Sequence, residues 1–253
     1  MQLRNALDQD VMLITAWSGS ASVEMAAGMA RCPFDAVTID MQHGAHTESS
    51  AFASVKAIFA ADKPALLRIP VGRNDLASRA LDMGFEAVIA PMINSVADAD
   101  VFARAMKYPP VGERSWGPMQ ALHLHTSHTP ESYFRAANRE SMAIAMIETR
   151  AAYAALDGIL GTDGIDGIFV GPSDLSISWF NGAGVDPRNA ELQDIIADIG
   201  HRSRKAGKFA AIFAVDPADV PQFAKMGYRL AALNTDPGIL HAGAAMMLEK
   251  ARG

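Results

Sequence analysis

The sequence has one cysteine, Cys32, among 253 residues. That excludes an intramolecular disulfide and a cysteine cluster for zinc, and makes a reducing cytoplasm the expected home. No apolar run approaches the ~18 residues that a membrane-spanning helix needs. The first residues, MQLRNALDQDVML, interrupt their apolar content with acids, so neither a membrane span nor an export signal is expected. There is no run of Lys or Arg, and the formal net charge is -6. A phosphate backbone would find no basic footprint here, which argues against nucleic acid as a partner. Linkers, low-complexity stretches and fixed-period repeats are absent too, so nothing divides the chain into two domains.

What is present is apolar material: hydrophobic residues make up 50% and charged ones 20%, enough for a compact core. Short apolar runs alternate with helix-like segments from end to end, the pattern of βα units around a parallel sheet. The strands are predicted at residues 12–17, 36–40, 65–69, 87–90, 143–148, 167–170, 209–213 and 230–234. Helices are predicted at 22–29, 48–60, 74–83, 97–106, 151–160, 189–205, 217–225 and 238–250. Eight such units need roughly 250 residues. The predicted fold is therefore α/β: a single (β/α)8 TIM barrel spanning residues 1–253. The spacing breaks once, at residues 107–140, where YPPVGERSWGPMQALHLHTSH precedes a short helical piece near 131–138. Inserted loops of this length are usually functional or disordered.

A barrel of this kind builds its active site at the C-terminal ends of its strands. Those ends are rich in polar residues here. Trp17 follows the first run, Asp40-Met-Gln-His43 the second, Arg68 ends the third, Glu148 the fifth, and Gly171-Pro172-Ser173-Asp174 follows the sixth. Glu148 and Asp174 end adjacent strands and can converge on one hard cation, for which Mg²⁺ or Mn²⁺ needs only one or two protein carboxylates. Alternatively, Asp174 is the N-cap of a helix beginning at Leu175. His43, oriented by Asp40 or Asp82, suits a general base near neutral pH, or is a surface histidine. Asp82 has a second reading as a solvated helix-end residue ahead of a C-cap at Gly84. Arg68 offers a fork for a carboxylate, or a structural salt bridge. The turn at Gly171–Ser173 presents backbone N–H groups that can hold an anionic oxygen. His123, His125 and His128 are dense but match no zinc spacing, so they read as a polar loop.

Carbon–carbon lyases on this fold activate 2-oxo acids with a Schiff-base lysine or with a Lewis-acid metal. Lys63, Lys208 and Lys225 precede strands, Lys56, Lys205 and Lys250 fall in helices, and Lys107 begins the insertion. No lysine ends a strand, so the metal route is the expected one.

The motifs IDMQHG at 39–44, LLRIP at 66–70, LDMG at 81–84, APM at 90–92, YPPVGERSWG at 108–117, IET at 147–149 and VGPSDLS at 170–176 resemble those of the HpcH/HpaI family of metal-dependent 2-oxo acid aldolases. They run in order over nearly the whole chain. The resemblance implies that Glu148 and Asp174 hold a divalent metal (Mg²⁺, Mn²⁺ or Co²⁺) and that Arg68 binds the donor and supports its enolate. It implies that His43, with Asp82 and Asp40, moves protons. Trp17, Gly171, Pro172 and Ser173 would line the donor site. The implied reaction is reversible cleavage of a 4-hydroxy-2-oxo acid into pyruvate or hydroxypyruvate and an aldehyde. The implied assembly is a homo-hexamer of dimers with the last helix exchanged between partners. Gln42 departs from the glutamate of many members, and Trp116 with the insertion histidines would give the aldehyde pocket its own character. Two other readings stay open: an acyl-CoA lyase of the malyl- or citramalyl-CoA type, and a non-catalytic metabolite-binding barrel.

Overall fold

The computed structural model describes residues 2–253. The chain opens with helix α1 (Gln2–Leu7), then β1 (Leu13–Ser18), α2 (Val23–Arg31), β2 (Ala36–Asp40), α3 (Glu48–Phe59), β3 (Ala65–Arg68), α4 (Asn74–Met83), β4 (Ala87–Ala90) and α5 (Val96–Met106). The insertion folds into α6 (Met119–Leu124) and α7 (Pro130–Glu140). There follow β5 (Met142–Ile147), α8 (Arg150–Ala154), α9 (Leu156–Leu160), β6 (Gly167–Val170), α10 (Pro172–Trp179), α11 (Ala190–Lys205), β7 (Phe209–Ala214), α12 (Val220–Lys225), β8 (Tyr228–Thr235) and α13 (Asp236–Arg252). The eight strands pair in chain order, all parallel, and β8 closes on β1. The predicted (β/α)8 barrel is the observed one.

Side chains alternate across each strand, so one set fills the barrel and the other faces the helices. Trp17, Leu66, Ile89, Ile144, Met146 and Phe169 belong to the interior cluster, while Ala16, Val37, Ile39, Leu67, Val88 and Ile147 pack under the helices. At the N-terminal end the interior is plugged by α1, whose Leu3 and Leu7 join the same cluster. The N–H of Leu3 donates to the buried Glu86 at 2.8 Å, which fixes that plug.

The structure departs from the predicted elements in places. Helices α1, α6 and α10 escape the periodicity because they are short, and a predicted single helix over 151–160 breaks at Ala155 into α8 and α9. The insertion leaves α5 and enters β5, which places it at the N-terminal face of the barrel, opposite the strand ends that hold the chemistry. Trp116 and the histidines 123–128 therefore cannot line the aldehyde pocket of their own barrel, contrary to the expectation above. His125 is buried against the Phe59 ring, His128 stands 3.5 Å from Glu140, and His123 is exposed. Among the described residues no group of three or more His, Cys, Asp or Glu is placed to hold a metal.

Candidate active site

The alternation that builds the barrel also decides which residues reach its mouth. Counting by twos along β1, β2, β3 and β5 from the interior positions Thr15, Thr38, Leu66 and Met146 leads to Trp17, Asp40, Arg68 and Glu148. The β2–β3 register sets Asp40 beside Arg68. Their side chains form a fork-to-fork pair, Nε to Oδ1 at 2.9 Å and Nη2 to Oδ2 at 2.6 Å. Asp40 Oδ2 also accepts from Trp17 Nε1 at 3.3 Å, and Oδ1 from the backbone N–H groups of Gln42 at 2.9 Å and His43 at 3.3 Å. Burial pushes the Asp40 carboxyl up, but its bonds to Arg68 and that residue's charge outweigh burial and hold it below the usual value. Arg68 is stacked over Trp17, 4.9 Å from ring centre to guanidinium carbon, and Trp17 rests on Phe169 and Phe213 at 5.5 Å each. The mouth thus has an aromatic floor carrying a cation.

Glu148 follows β5 and is 1% exposed. Its Oε1 accepts from the N–H of Met92 at 2.7 Å. Met92 makes that reach with φ at 56°, a left-handed conformation that costs a non-glycine residue about 1–3 kcal/mol. The other oxygen faces Gly171, where a Cβ would lie only 2.7 Å from Oε2, so any larger residue there would push the carboxylate out of this position. Burial raises the Glu148 pKa from 4.5 to about 7; the Met92 N–H lowers it, the neighbouring Asp174 charge raises it again, and Arg68 lowers it. Asp174 is exposed and, among the described residues, makes no hydrogen bond or ion pair. It is not an N-cap: Gly171 caps α10, and Asp174 stands in the first turn. A buried carboxylate whose proton affinity a neighbouring, exposed carboxylate raises makes with it a donor set suited to a hard divalent ion that keeps its remaining positions for water or substrate oxygens.

The cavity at this mouth is about 130 Å³, lined by Trp17, Arg68, Met146, Phe169, Gly171–Asp174 and Phe213. At ~30 Å³ per water it holds about four waters, a volume for a small acid rather than a nucleotide. No lysine lines it. The larger clefts described elsewhere on the molecule include none of the predicted site residues.

His43 is at the rim, exposed, and its imidazole makes no hydrogen bond or ion pair among the described residues. Asp40 meets its backbone rather than its ring, so that carboxylate does not orient the imidazole as expected. Neither does Asp82, which is in the last turn of α4 on the N-terminal side of the barrel, where its Oδ1 accepts from Arg114 of the insertion at 2.7 Å. Gly84 is the left-handed C-cap of α4 at φ 104°, so the helix-end reading describes Asp82's own surroundings. The role of the Met92 N–H, although it belongs to the APM motif, and the pairing of Asp40 with Arg68 were not expected from the sequence. The latter needs the strand register, which no local pattern carries.

The chain and its fold have counterparts. The profile of the HpcH/HpaI aldolase/citrate lyase family matches residues 13–242. The chain belongs to that family. It is 32% identical over 249 residues to a hydroxypyruvate/pyruvate aldolase of Roseovarius nubinhibens, covering 98% of this chain and 96% of that one. It is 33% identical over 220 residues to a 2-keto-3-deoxy-L-rhamnonate aldolase of Klebsiella pneumoniae, covering 87% and 81%. Among solved structures, an HpcH/HpaI aldolase/citrate lyase family protein from Burkholderia cenocepacia J2315 superposes with a TM-score of 0.88 at 28% identity, over 100% of this chain and 99% of that one. That family member shares this barrel from end to end.

Proposed function

We propose that this chain is a divalent-metal-dependent aldolase that reversibly cleaves 4-hydroxy-2-oxo acids into pyruvate or hydroxypyruvate and an aldehyde. The observation that carries the reading is the buried Glu148, which feels the charges of the unpaired Asp174 and of Arg68, two residues that line a small cavity at the barrel mouth. Glu148 and Asp174 would hold Mg²⁺, Mn²⁺ or Co²⁺, which when bound supplies Lewis-acid polarisation of a 2-keto oxygen. Arg68 is held in place by Asp40 and Trp17. With Nε and Nη2 committed to Asp40, its Nη1 is left for a donor oxygen and for negative charge growing there. The backbone of Gly171–Ser173 lines the same cavity and binds the donor's carboxylate. In condensation His43 takes the C3 proton and delivers it to the aldehyde oxygen as the carbon–carbon bond forms; in cleavage it takes the proton of the 4-hydroxyl and returns it to C3 of the enolate. Asp82 cannot reach His43 within one barrel, so a share in that proton traffic requires a second copy. The exposed Leu240, Met247 and Leu248 of α13 support a hexamer of dimers with this helix exchanged. No described helix is long and apolar enough to cross a membrane, and the single cysteine supports a reducing cytoplasm.

With Mg²⁺ or Mn²⁺ present, the protein should exchange the C3 protons of pyruvate with deuterated solvent. His43→Ala should slow that exchange by about 10²–10⁴ while leaving metal affinity intact. Unchanged exchange in the variant would move the base elsewhere. No exchange by the unaltered protein with any of the metals would favour the metabolite-binding barrel, and faster cleavage of a thioester than of the free acid would favour the acyl-CoA lyase.

The raised Glu148 pKa adds a pH dependence. Between its ordinary value of 4.5 and about 7 the folded protein keeps a proton that the unfolded chain has lost. The stability this group contributes is complete below pH 4.5 and disappears as the pH rises through about 7. Metal-free protein should therefore melt at a lower temperature at pH 8 than at pH 5.5 on account of this group. Metal binding requires the carboxylate, so affinity should rise over the same window with release of a proton. Calorimetry in two buffers of different ionisation enthalpy measures that proton; its absence at pH 6.5 would contradict the assignment.

A further inference from the structure

Of the 17 residues of α13, only Asp236 is buried, and it is 2% exposed. The carboxylate does not meet its own helix's neighbours. Oδ1 accepts from the N–H of Gly19 at 3.2 Å and Oδ2 from the N–H of Ser20 at 2.9 Å, so the root of the last helix holds the turn that follows β1. Two backbone N–H groups converging on one buried carboxylate are charge-assisted bonds that an amide could satisfy only in part.

That turn is the bed of the segment carrying His43. The N–H of Ala45 donates to the Gly19 carbonyl at 2.7 Å. Gly44 presses on Gly19 so closely that a Cβ would lie 3.0 Å from its α-carbon and 2.9 Å from its oxygen. One residue further, the buried His46 bridges Ser18 at the end of β1, through Nε2 at 3.0 Å, and Ser50 in α3, through Nδ1 at 3.1 Å. The Ser50 hydroxyl also reaches the Thr47 carbonyl at 3.1 Å. Assigning its hydrogen there makes His46 a donor from Nδ1 and an acceptor at Nε2. Burial lowers the His46 pKa against the raising effects of Asp236 and Asp40, so it acts as a neutral bridge. His43 is thus pinned on one side by Asp40, which accepts from its N–H, and on the other by Gly19 and His46.

We propose that Asp236 and His46 are positioning residues for His43: the carboxylate at the root of α13 holds the 19–20 turn against the 43–46 segment. The seating of the C-terminal helix thereby sets the place of the proton-transfer group. Nothing else buried in α13 shares that task. The inference rests on His43 acting as the base, and one of its two tests is independent of that role.

The first test is amide deuterium exchange of the full-length protein, comparing Asp236→Ala and Ser18→Ala with the unaltered chain. Uptake should rise in peptides covering residues 41–47 and stay unchanged in those covering 142–148 and 167–171. The second is pyruvate C3-proton exchange with saturating Mn²⁺, where Asp236→Ala should lower kcat by at least about tenfold with KM nearly unchanged. Asp236→Asn, which keeps one acceptor and turns an N–H₂ toward a donor, should fall between the two. Unchanged uptake in 41–47 overturns the latch. A loosened loop with full exchange activity overturns the positioning role, and loss of protection in all three regions marks a purely structural residue and overturns it as well. If the unaltered protein exchanges no pyruvate protons, the aldolase reading fails while the deuterium measurement still decides the latch.

Discussion

Glu148→Gln is expected to abolish aldol turnover and to leave the barrel folded. The substitution keeps the side chain's size and an oxygen for the Met92 N–H, now 2.7 Å from Oε1, and removes the buried charge that a hard cation needs. Groups one shell away from a metal typically cost 10–100-fold in affinity when changed, so loss of a charged ligand should cost at least about a hundredfold, or roughly 2.7 kcal/mol. Asp174→Asn should do the same from an exposed position where a fold effect has little to act on. The Gln variant has a further signature. With the ionisable group gone, the fall in melting temperature between pH 5.5 and pH 8 assigned to Glu148 should vanish, and metal-free Glu148→Gln should be at least as stable as the unaltered protein at the higher pH. Calorimetric titration with Mn²⁺ and melts at the two pH values measure both effects. If both amide variants bind metal like the unaltered protein, the metal site is not at this mouth.

Asp40→Ala is expected to lose both stability and activity, because it strands a buried guanidinium. Arg68 gives Asp40 two hydrogen bonds and is almost wholly enclosed. Breaking such a pair by removing one partner costs about 3–5 kcal/mol, much of it the penalty of the charge left behind. The variant should unfold at lower urea, and its turnover should fall along with it, since the fork that faces the donor loses its anchor. Removing both partners, Asp40→Ala with Arg68→Met, should restore stability toward that of the unaltered protein without restoring activity, a non-additive result that separates packing from chemistry. The Asp40 carboxyl is held below its usual range, so the pair's contribution is present above about pH 4 and is lost as the pH falls through the depressed value. A stability loss under about 1 kcal/mol in Asp40→Ala would mean that the pair is no anchor.

Much of this protein is legible locally. Strands β2, β4 and β6 have the predicted bounds, as does α4, because a buried parallel strand is a short apolar run between turn residues and needs no knowledge of its neighbours. The end of each apolar run marks the C-terminal end of its strand, which is why Trp17, Asp40, Arg68 and Glu148 could be picked out as residues of the mouth. The short helices α1, α6 and α10 carry too few turns for a period to show.

By itself, then, the sequence determined the order of the eight strands and the longer helices between them, the closed-barrel architecture, the absence of a lysine at any strand end and the polar residues that crown the strands, since each follows from composition, from short apolar runs or from the helical period. Only the tertiary structure decided who meets whom. The strand register turned Arg68 toward Asp40. The topology sent Asp82 and the whole insertion to the far end of the barrel, bringing Arg114 to Asp82 instead of His43. Closure of the barrel brought Asp236, near the end of the chain, onto the turn after the first strand. These contacts join residues 28 to 217 positions apart. Contacts of that range depend on how many residues each connection contains and which way each strand runs, and that information is spread over the whole chain rather than written at either partner.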